Sequence, residues 1–322
     1  MTNRTQPNND GLVLTGLDGS NPLAFLAALG TLRTLSLAWP ERKVKMHWAQ
    51  HAGAWRPVIA ADSELTPDVC SSVLQQNLCR MTGHLALTLG DNLNVSAEEF
   101  RKYAVKTTMA AHSSREAMER IAADFAAAFA CDALVNEQMT VQDNALRTMS
   151  GAGHQHFLAF MRDIISSTQV EHIEKALFRP WKYDDPITKQ SLRSDPSEDS
   201  RYALQWRDPS GDPTRKERGT MLGANRLAIE GIPMITSAPQ GKTLRTVGFA
   251  GRGARETYWT WPIWCTPIPL DVCRSLLGCS LLAGVDRSTI PALKCMGIQS
   301  VFRSQRITTG KFRNFTPAVA LL

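Results

Sequence analysis

The sequence predicts an α+β protein: a helical middle region flanked by β-rich N- and C-terminal segments, with a long ordered Pro/Asp-rich excursion. Three observations predict it. Residues 96–173 combine helix-start signals with Ala-rich, helically spaced apolar residues. Both ends alternate apolar and polar residues with period two. Residues 180–218 shift abruptly to Pro, Asp and Ser. On this reading the chain comprises an N-terminal α/β segment (1–95), a helical region (96–179) and a basic, β-rich C-terminal region (180–322), expected to form one compact unit.

The elements follow in order. "GLVLT" is a short strand that enters a Gly/Asp turn. Asn21 is then a helix N-cap and Pro22 occupies the first helical position, where its missing N–H costs nothing. Leu23, Phe25, Leu26, Leu29, Leu32 and Leu35 recur at helical spacing over more than one face, so this helix is expected to be buried. Val44, Met46 and Trp48 alternate with Lys45 and His47 ahead of Ala52-Gly53, which predicts a β-hairpin. Thr66-Pro67 opens a helix, and "LALTLG" (85–90) reads as a strand. Ser96 with Glu99, and Ser113 with Glu116, form two capping boxes. The helical pattern continues through "HQHFLAFMRDIISS" and "VEHIEKALF". Trp181, Tyr183, Tyr202 and Trp206 make residues 180–218 too aromatic for plain disorder, so that excursion is expected to pack on the body. "GTMLGANRLAIEGIP" gives a helix, "TLRTVGFAGRGARETYWTWPIW" two strands around a Gly-rich turn, and "LDVCRSLLG" a helix stopped by Gly278. "IQSVFRSQRI" and "FTPAVAL" close the chain as strands.

At 322 residues the chain is long enough to bury roughly 75% of its unfolded surface. No apolar run reaches the length of a membrane helix, and "MTNRTQPNND" lacks an apolar signal core, reading instead as a short disordered tail. Seven cysteines form neither a C-x-x-C pair nor an even framework. They are expected to be reduced, mostly buried thiols in a cytoplasmic protein. There is no H-E-x-x-H, G-x-S-x-G or G-K-[ST] motif, and no catalytic residue or cofactor is assigned. His154 and His156 point to different sides of a helix.

Charge is the informative feature. Residues 240–322 hold eleven Lys/Arg against three acids, whereas the whole chain carries only +6. Such a basic quarter on a neutral body suits a polyanion-binding surface. In "VFRSQRITTGKFRNF", guanidinium forks can pair with phosphates and aromatic rings can stack on bases. As a strand, it places Arg303 on one face and Arg306 on the other. "GFAGRGARETY" adds Arg252 and Arg255 beside glycines that allow close backbone approach. The nucleic-acid-binding candidates are Arg245, Arg252, Arg255, Arg303, Arg306, Lys311 and Arg313. The plain alternative is a solvated edge strand. Asp184, Asp185, Asp195, Glu198 and Asp199 could hold Mg²⁺, but their spacing matches no metal loop. Salt bridges to Arg193, Arg201 and Arg207 are the better reading, and no metal ligand is assigned. Gly16 and Gly19 form an anion-binding turn in principle, but a tight turn seating a buried helix is the stronger reading.

The opening "LTGLDGSNPLAFLAALGTLRTL", followed by a Trp-containing hairpin, resembles the start of large-subunit-type proteins of type I-G (formerly I-U) CRISPR systems. "RSDPSEDSRYALQWRDPSGDP", "GTMLGANRLA" and "FRSQRITTGKFRNFTPA" are similar to a smaller extension family associated with that subtype's helicase-nuclease. The resemblance implies a subunit of an RNA-guided antiviral effector that contacts target DNA or guide RNA. Its partners would be other effector subunits and the helicase-nuclease, with no membrane association. Two alternatives remain open. One is an adaptor docking the helicase-nuclease through Trp181–Trp206 and "YWTWPIW", and the other is a metal-dependent nuclease using the acidic excursion.

Overall fold

The computed structural model describes residues 11–114, 117–142, 144–151, 155–198, 219–251, 256–309 and 312–322. It is α+β, with sheets built from the N- and C-terminal regions and helices between them.

The organising element is α1 (Pro22–Ala38), whose residues from Pro22 to Leu35 are all buried. Asn21 caps it as its sequence position predicts. Asn21 Oδ1 accepts from the backbone N–H of Leu23 at 2.8 Å and of Ala24 at 3.2 Å. We number the helices described here in chain order: α2 (Pro67–Leu78), α3 (Ala97–Ser113), α4 (Ala117–Phe129), α5 (Phe157–Ser167), α6 (Val170–Phe178), α7 (Leu222–Gly231), α8 (Leu270–Leu277) and α9 (Ile290–Cys295). All ten residues of α7 are buried, and it crosses α1 at the centre of the molecule. Two glycines allow the close approach. A Cβ on Gly30 would lie 1.8 Å from the Leu227 carbonyl oxygen, and one on Gly231 would lie 2.3 Å from that of Leu26. An ion network is sealed into the same crossing. Glu230 accepts from Arg33 at 3.0 Å and from Arg226 at 2.9 Å, and Arg33 also reaches Asp124 at 3.0 Å.

Two sheets embrace α1. The first has the order β1 (Leu12–Val13), β3 (Ala54–Ala60), β2 (Lys45–His51) and β8 (Ile268–Pro269). Its central hairpin turns at Ala52 and Gly53, both left-handed (φ 50° and 79°), as a two-residue turn between twisted strands requires. The second has the order β10 (Phe312–Phe315), β9 (Ile298–Thr309), β7 (Thr257–Trp264) and β6 (Phe249–Ala250), with β11 (Val319–Ala320) also on β9. A separate hairpin pairs β4 (Ser237–Gln240) with β5 (Thr243–Thr246).

An aromatic seam joins the two sheets. The Phe25 ring centre lies 5.8 Å from that of Trp48, 5.9 Å from Trp259 and 5.6 Å from Trp261. Two indole N–H groups are satisfied across it: Trp261 donates to the Gly19 carbonyl and Trp264 to that of Met46, both at 2.8 Å, whereas the buried indole N–H of Trp48 finds no acceptor among the described residues.

Among the middle helices, Ser96 and Glu99 form the expected capping box at α3. The second expected box is not the start of a helix at Ser113, which instead ends α3, while Glu116 lies outside the described residues. "LALTLG" is not a strand. Leu85–Leu87 form a 3₁₀ turn, initiated by the His84 ring accepting from the Ala86 N–H, and Ala86 and Leu87 are buried against the bundle. The expected helix at "HQHF" begins only at Phe157, and the described residues of 130–156 are turns and isolated bridges. His154 lies outside the described residues.

Candidate functional site

Two features could carry chemistry: a cationic end of the second sheet and a cleft beneath the start of α1.

The cationic end is built by strand register. Arg306 lies opposite Thr257 on β7 and Phe315 on β10, while Arg313 lies opposite Thr308. Directly opposed residues share a face, so Arg306 and Arg313 sit on the face that carries Trp259 and Trp261 into the core. At the sheet's end they overhang the helical region. Arg306 donates to the Ala145 carbonyl at 2.8 Å and Arg313 to the Arg147 carbonyl at 3.4 Å. Buried Arg147 stiffens this turn by donating to the Met149 carbonyl at 2.8 Å and to Asn94 Oδ1 at 2.6 Å. The β4–β5 hairpin is fastened to the same place. Ala145 N–H donates to Thr246 Oγ1, Gln142 Nε2 donates to the Lys242 carbonyl, and Leu244 N–H donates to Gln142 Oε1. Exposed Lys242 and Arg245 thereby join Arg306 and Arg313 at one end of the molecule, shared with two exposed acids, Glu137 and Glu256.

The cationic side chains are divided between the two faces of this sheet, as the strand alternation predicts. Arg303 sits on the opposite face, donating to Thr260 Oγ1 at 3.0 Å with its guanidinium 5.8 Å from the Tyr258 ring centre. Residues 303 and 306 are an odd number apart on a strand, so they must diverge. Arg245 donates to Gln240 Oε1 at 2.5 Å. Among the described residues, neither Arg245 nor Arg303 has a carboxylate partner. Arg252, Arg255 and Lys311 lie outside the described residues.

The cleft, about 440 Å³, is where distant parts of the sequence converge: Thr15–Ala24, Arg56, Pro180–Tyr183, Asp195–Ser197 and Pro317-Ala318 all contribute to its walls. Parts of three of the four stretches that carry the resemblance line it, and the fourth, in α7, bonds Glu198 and Leu192 through Asn225. Arg56 has no hydrogen-bond or ion-pair partner among the described residues, and its Nε is buried. Trp181 and Tyr183 stand edge to face, 6.0 Å between ring centres. Tyr183 holds a left-handed backbone (φ 55°), rare for an aromatic residue, and donates its hydroxyl to Asp195 at 2.9 Å.

Two buried carboxylates support this wall, Asp195 within it and Glu198 behind it. Glu198 is 2% exposed and accepts from Ser191 Oγ, Thr220 Oγ1, the Met221 N–H and Asn225 Nδ2. Burial, reinforced by the neighbouring Asp195 charge, pushes its carboxyl up to about 7 against these bonds. Burial likewise raises Asp195, only partly offset by bonds from Ser197, Asn21 and Tyr183. Burial and the Asp195 charge also raise the Tyr183 phenol, which stays protonated. The 183–198 segment is thus anchored on α7 by neutral donors. Among the described residues it does not use the expected salt bridges to Arg193, whose guanidinium has no carboxylate partner there; Arg201 and Arg207 lie outside the described residues. Asp184 and Asp185 pair instead with Lys175, at 2.7 and 3.2 Å. Among the described residues, no three His, Cys, Asp or Glu side chains gather in a metal-holding group.

Other sequence expectations resolve here. Gly16 and Gly19 are packing glycines: a Cβ would lie 2.3 Å from the Ala176 carbonyl oxygen in one case and 2.9 Å from Ile263 and Trp48 atoms in the other. The tryptophans of "YWTWPIW" are buried and offer no docking surface, while Tyr202 and Trp206 lie outside the described residues. All seven cysteines are free, but only Cys70 and Cys273 are buried. No described helix is long and apolar enough to cross a membrane. Sequence reasoning missed Arg56, whose only signal is a charge inside an otherwise apolar hairpin strand.

No protein-family model matches the sequence, and no curated protein matches it.

Proposed function

We propose that this chain is a non-catalytic nucleic-acid-binding subunit of a type I CRISPR effector complex, contacting target DNA or guide RNA through its cationic end. The observation that carries the binding reading is the attachment of the Lys242/Arg245 hairpin to the turn that also receives Arg306 and Arg313. Arg245, held on a strand and without a carboxylate partner among the described residues, suits phosphate contact by counterion release. The CRISPR assignment rests on the four quoted sequence stretches.

The test is salt-dependent binding of labelled duplex and single strands. Lys242→Glu with Arg245→Glu changes two exposed side chains and is expected to weaken binding at least tenfold at about 0.1 M salt. It should also flatten the log–log salt slope by roughly 1.4–1.8, at about 0.7–0.9 per phosphate contact. The control is Lys294→Glu, exposed on α9 at the other end of β9, roughly 35 Å away at the rise of an extended strand. Equal affinity and slope for both variants would remove the cationic end from the reading. Association with effector proteins is tested separately, by co-purification after nuclease treatment.

A further inference from the structure

The cleft under α1 has properties the cationic end does not explain. Its size is in the range of a small-ligand site and suits one nucleotide. One wall presents the half-buried Trp181 ring, held by its indole N–H donating to the Ala176 carbonyl at 2.9 Å. Arg56 offers guanidinium donors with no acceptor among the described residues, although most polar groups at this depth are paired. Asp18 supplies the complementary group. Its Oδ1 accepts from the Ser20 N–H and hydroxyl, while Oδ2 accepts nothing from the described residues. Ser20, Ser197 and Thr15 add hydroxyls around the rim.

A cation lacking an anion, a flat ring and an open carboxylate oxygen form a set. We propose that this cleft is a binding site for a single unstacked nucleotide, with Arg56 on the phosphate, the base against Trp181, and Asp18 accepting from an exocyclic amino group of the base. The ring gives sequence-tolerant stacking, and Asp18 favours adenine, cytosine or guanine over uracil or thymine, which lack that amino group. Four prolines (Pro22, Pro180, Pro196 and Pro317) line the cleft and keep its shape at low conformational cost. The site deepens the nucleic-acid reading but does not depend on the cationic end, because a lone nucleotide can enter it.

The test is calorimetric titration of the full chain with AMP, CMP, UMP, ribose 5-phosphate and inorganic phosphate. Binding of AMP and CMP is expected, with UMP and ribose 5-phosphate each weaker by about tenfold. Arg56→Gln should weaken AMP binding roughly 10- to 100-fold, the range for losing a charge-assisted hydrogen bond. It should leave the melting temperature unchanged, because the Arg56 side chain bonds to no described residue. Asp18→Asn should abolish the preference for AMP over UMP. AMP binding no tighter than phosphate, or unaffected by Arg56→Gln, overturns the proposal. The two readings separate cleanly. Lys242→Glu with Arg245→Glu should weaken duplex binding and leave AMP binding intact, whereas Arg56→Gln should do the reverse. A proline-rich peptide that binds the cleft while AMP does not would also overturn it.

Discussion

Glu198 makes stability depend on pH in a direction opposite to the usual carboxylate. Its carboxyl stands near 7 in the folded protein, against an ordinary value of 4.5. The folded state therefore holds a proton that the unfolded chain has released between those limits. Stability from this group is fully present below about pH 4.5, falls as pH rises, and levels off above about 7. The gap corresponds to about 3 kcal/mol at about 1.4 kcal/mol per pKa unit. The surroundings explain why nothing cancels it. Ser191, Thr220, Asn225 and the Met221 N–H are neutral donors, and the nearby charge, Asp195, is another acid. Glu198→Gln keeps the acceptor for Thr220, Met221 and Asn225 and turns its amide toward Ser191 Oγ, which can accept. The assay is urea denaturation of both proteins from pH 5 to pH 8. The variant should gain about 2–3 kcal/mol relative to wild type across that range. A wild-type-minus-variant difference that stays constant within about 0.5 kcal/mol would refute the reasoning.

Two further outcomes test the packing. Gly30→Ala places a methyl carbon 1.8 Å from the Leu227 carbonyl oxygen in a fully buried crossing, so it should lower stability by about 3 kcal/mol, read from the denaturation midpoint. Thiol labelling of the native protein should modify Cys79, Cys265 and Cys295 quickly. Cys70 and Cys273 should react only on unfolding, because burial pushes the Cys70 thiol up to about 12 and raises Cys273 as well. Mass spectrometry of the peptides identifies the sites, and rapid native labelling of Cys70 would contradict its place in the core.

The sequence yields those parts of the fold that local chemistry dictates. Asn21-Pro22, Thr66-Pro67 and the Ser96/Glu99 box each state a helix start within four residues, and Ala52-Gly53 states a hairpin. What stays hidden depends on distant partners. "LALTLG" has strand-like residues, yet its short apolar run is consumed by packing under α3, where Tyr103 donates to the Ala86 carbonyl. Arg33, Arg226 and Glu230 look like helix-surface charges until two helices far apart in the sequence close over them. The divergence of Arg303 and Arg306 was readable from strand periodicity, but the overhang of Arg306 onto Ala145 was not. The cleft draws on five separate segments, so no local pattern announces it.

The bond from Trp261 to Gly19 spans 242 positions, and that from Trp264 to Met46 spans 218. During synthesis, Phe25 and Trp48 emerge long before the tryptophans that cover them. At about 5–20 residues per second, the nascent amino-terminal portion waits on the order of 10–50 s with its greasiest surface bare. A chain cut short before β7 would keep that surface uncovered, and such a remnant is expected to aggregate or be degraded.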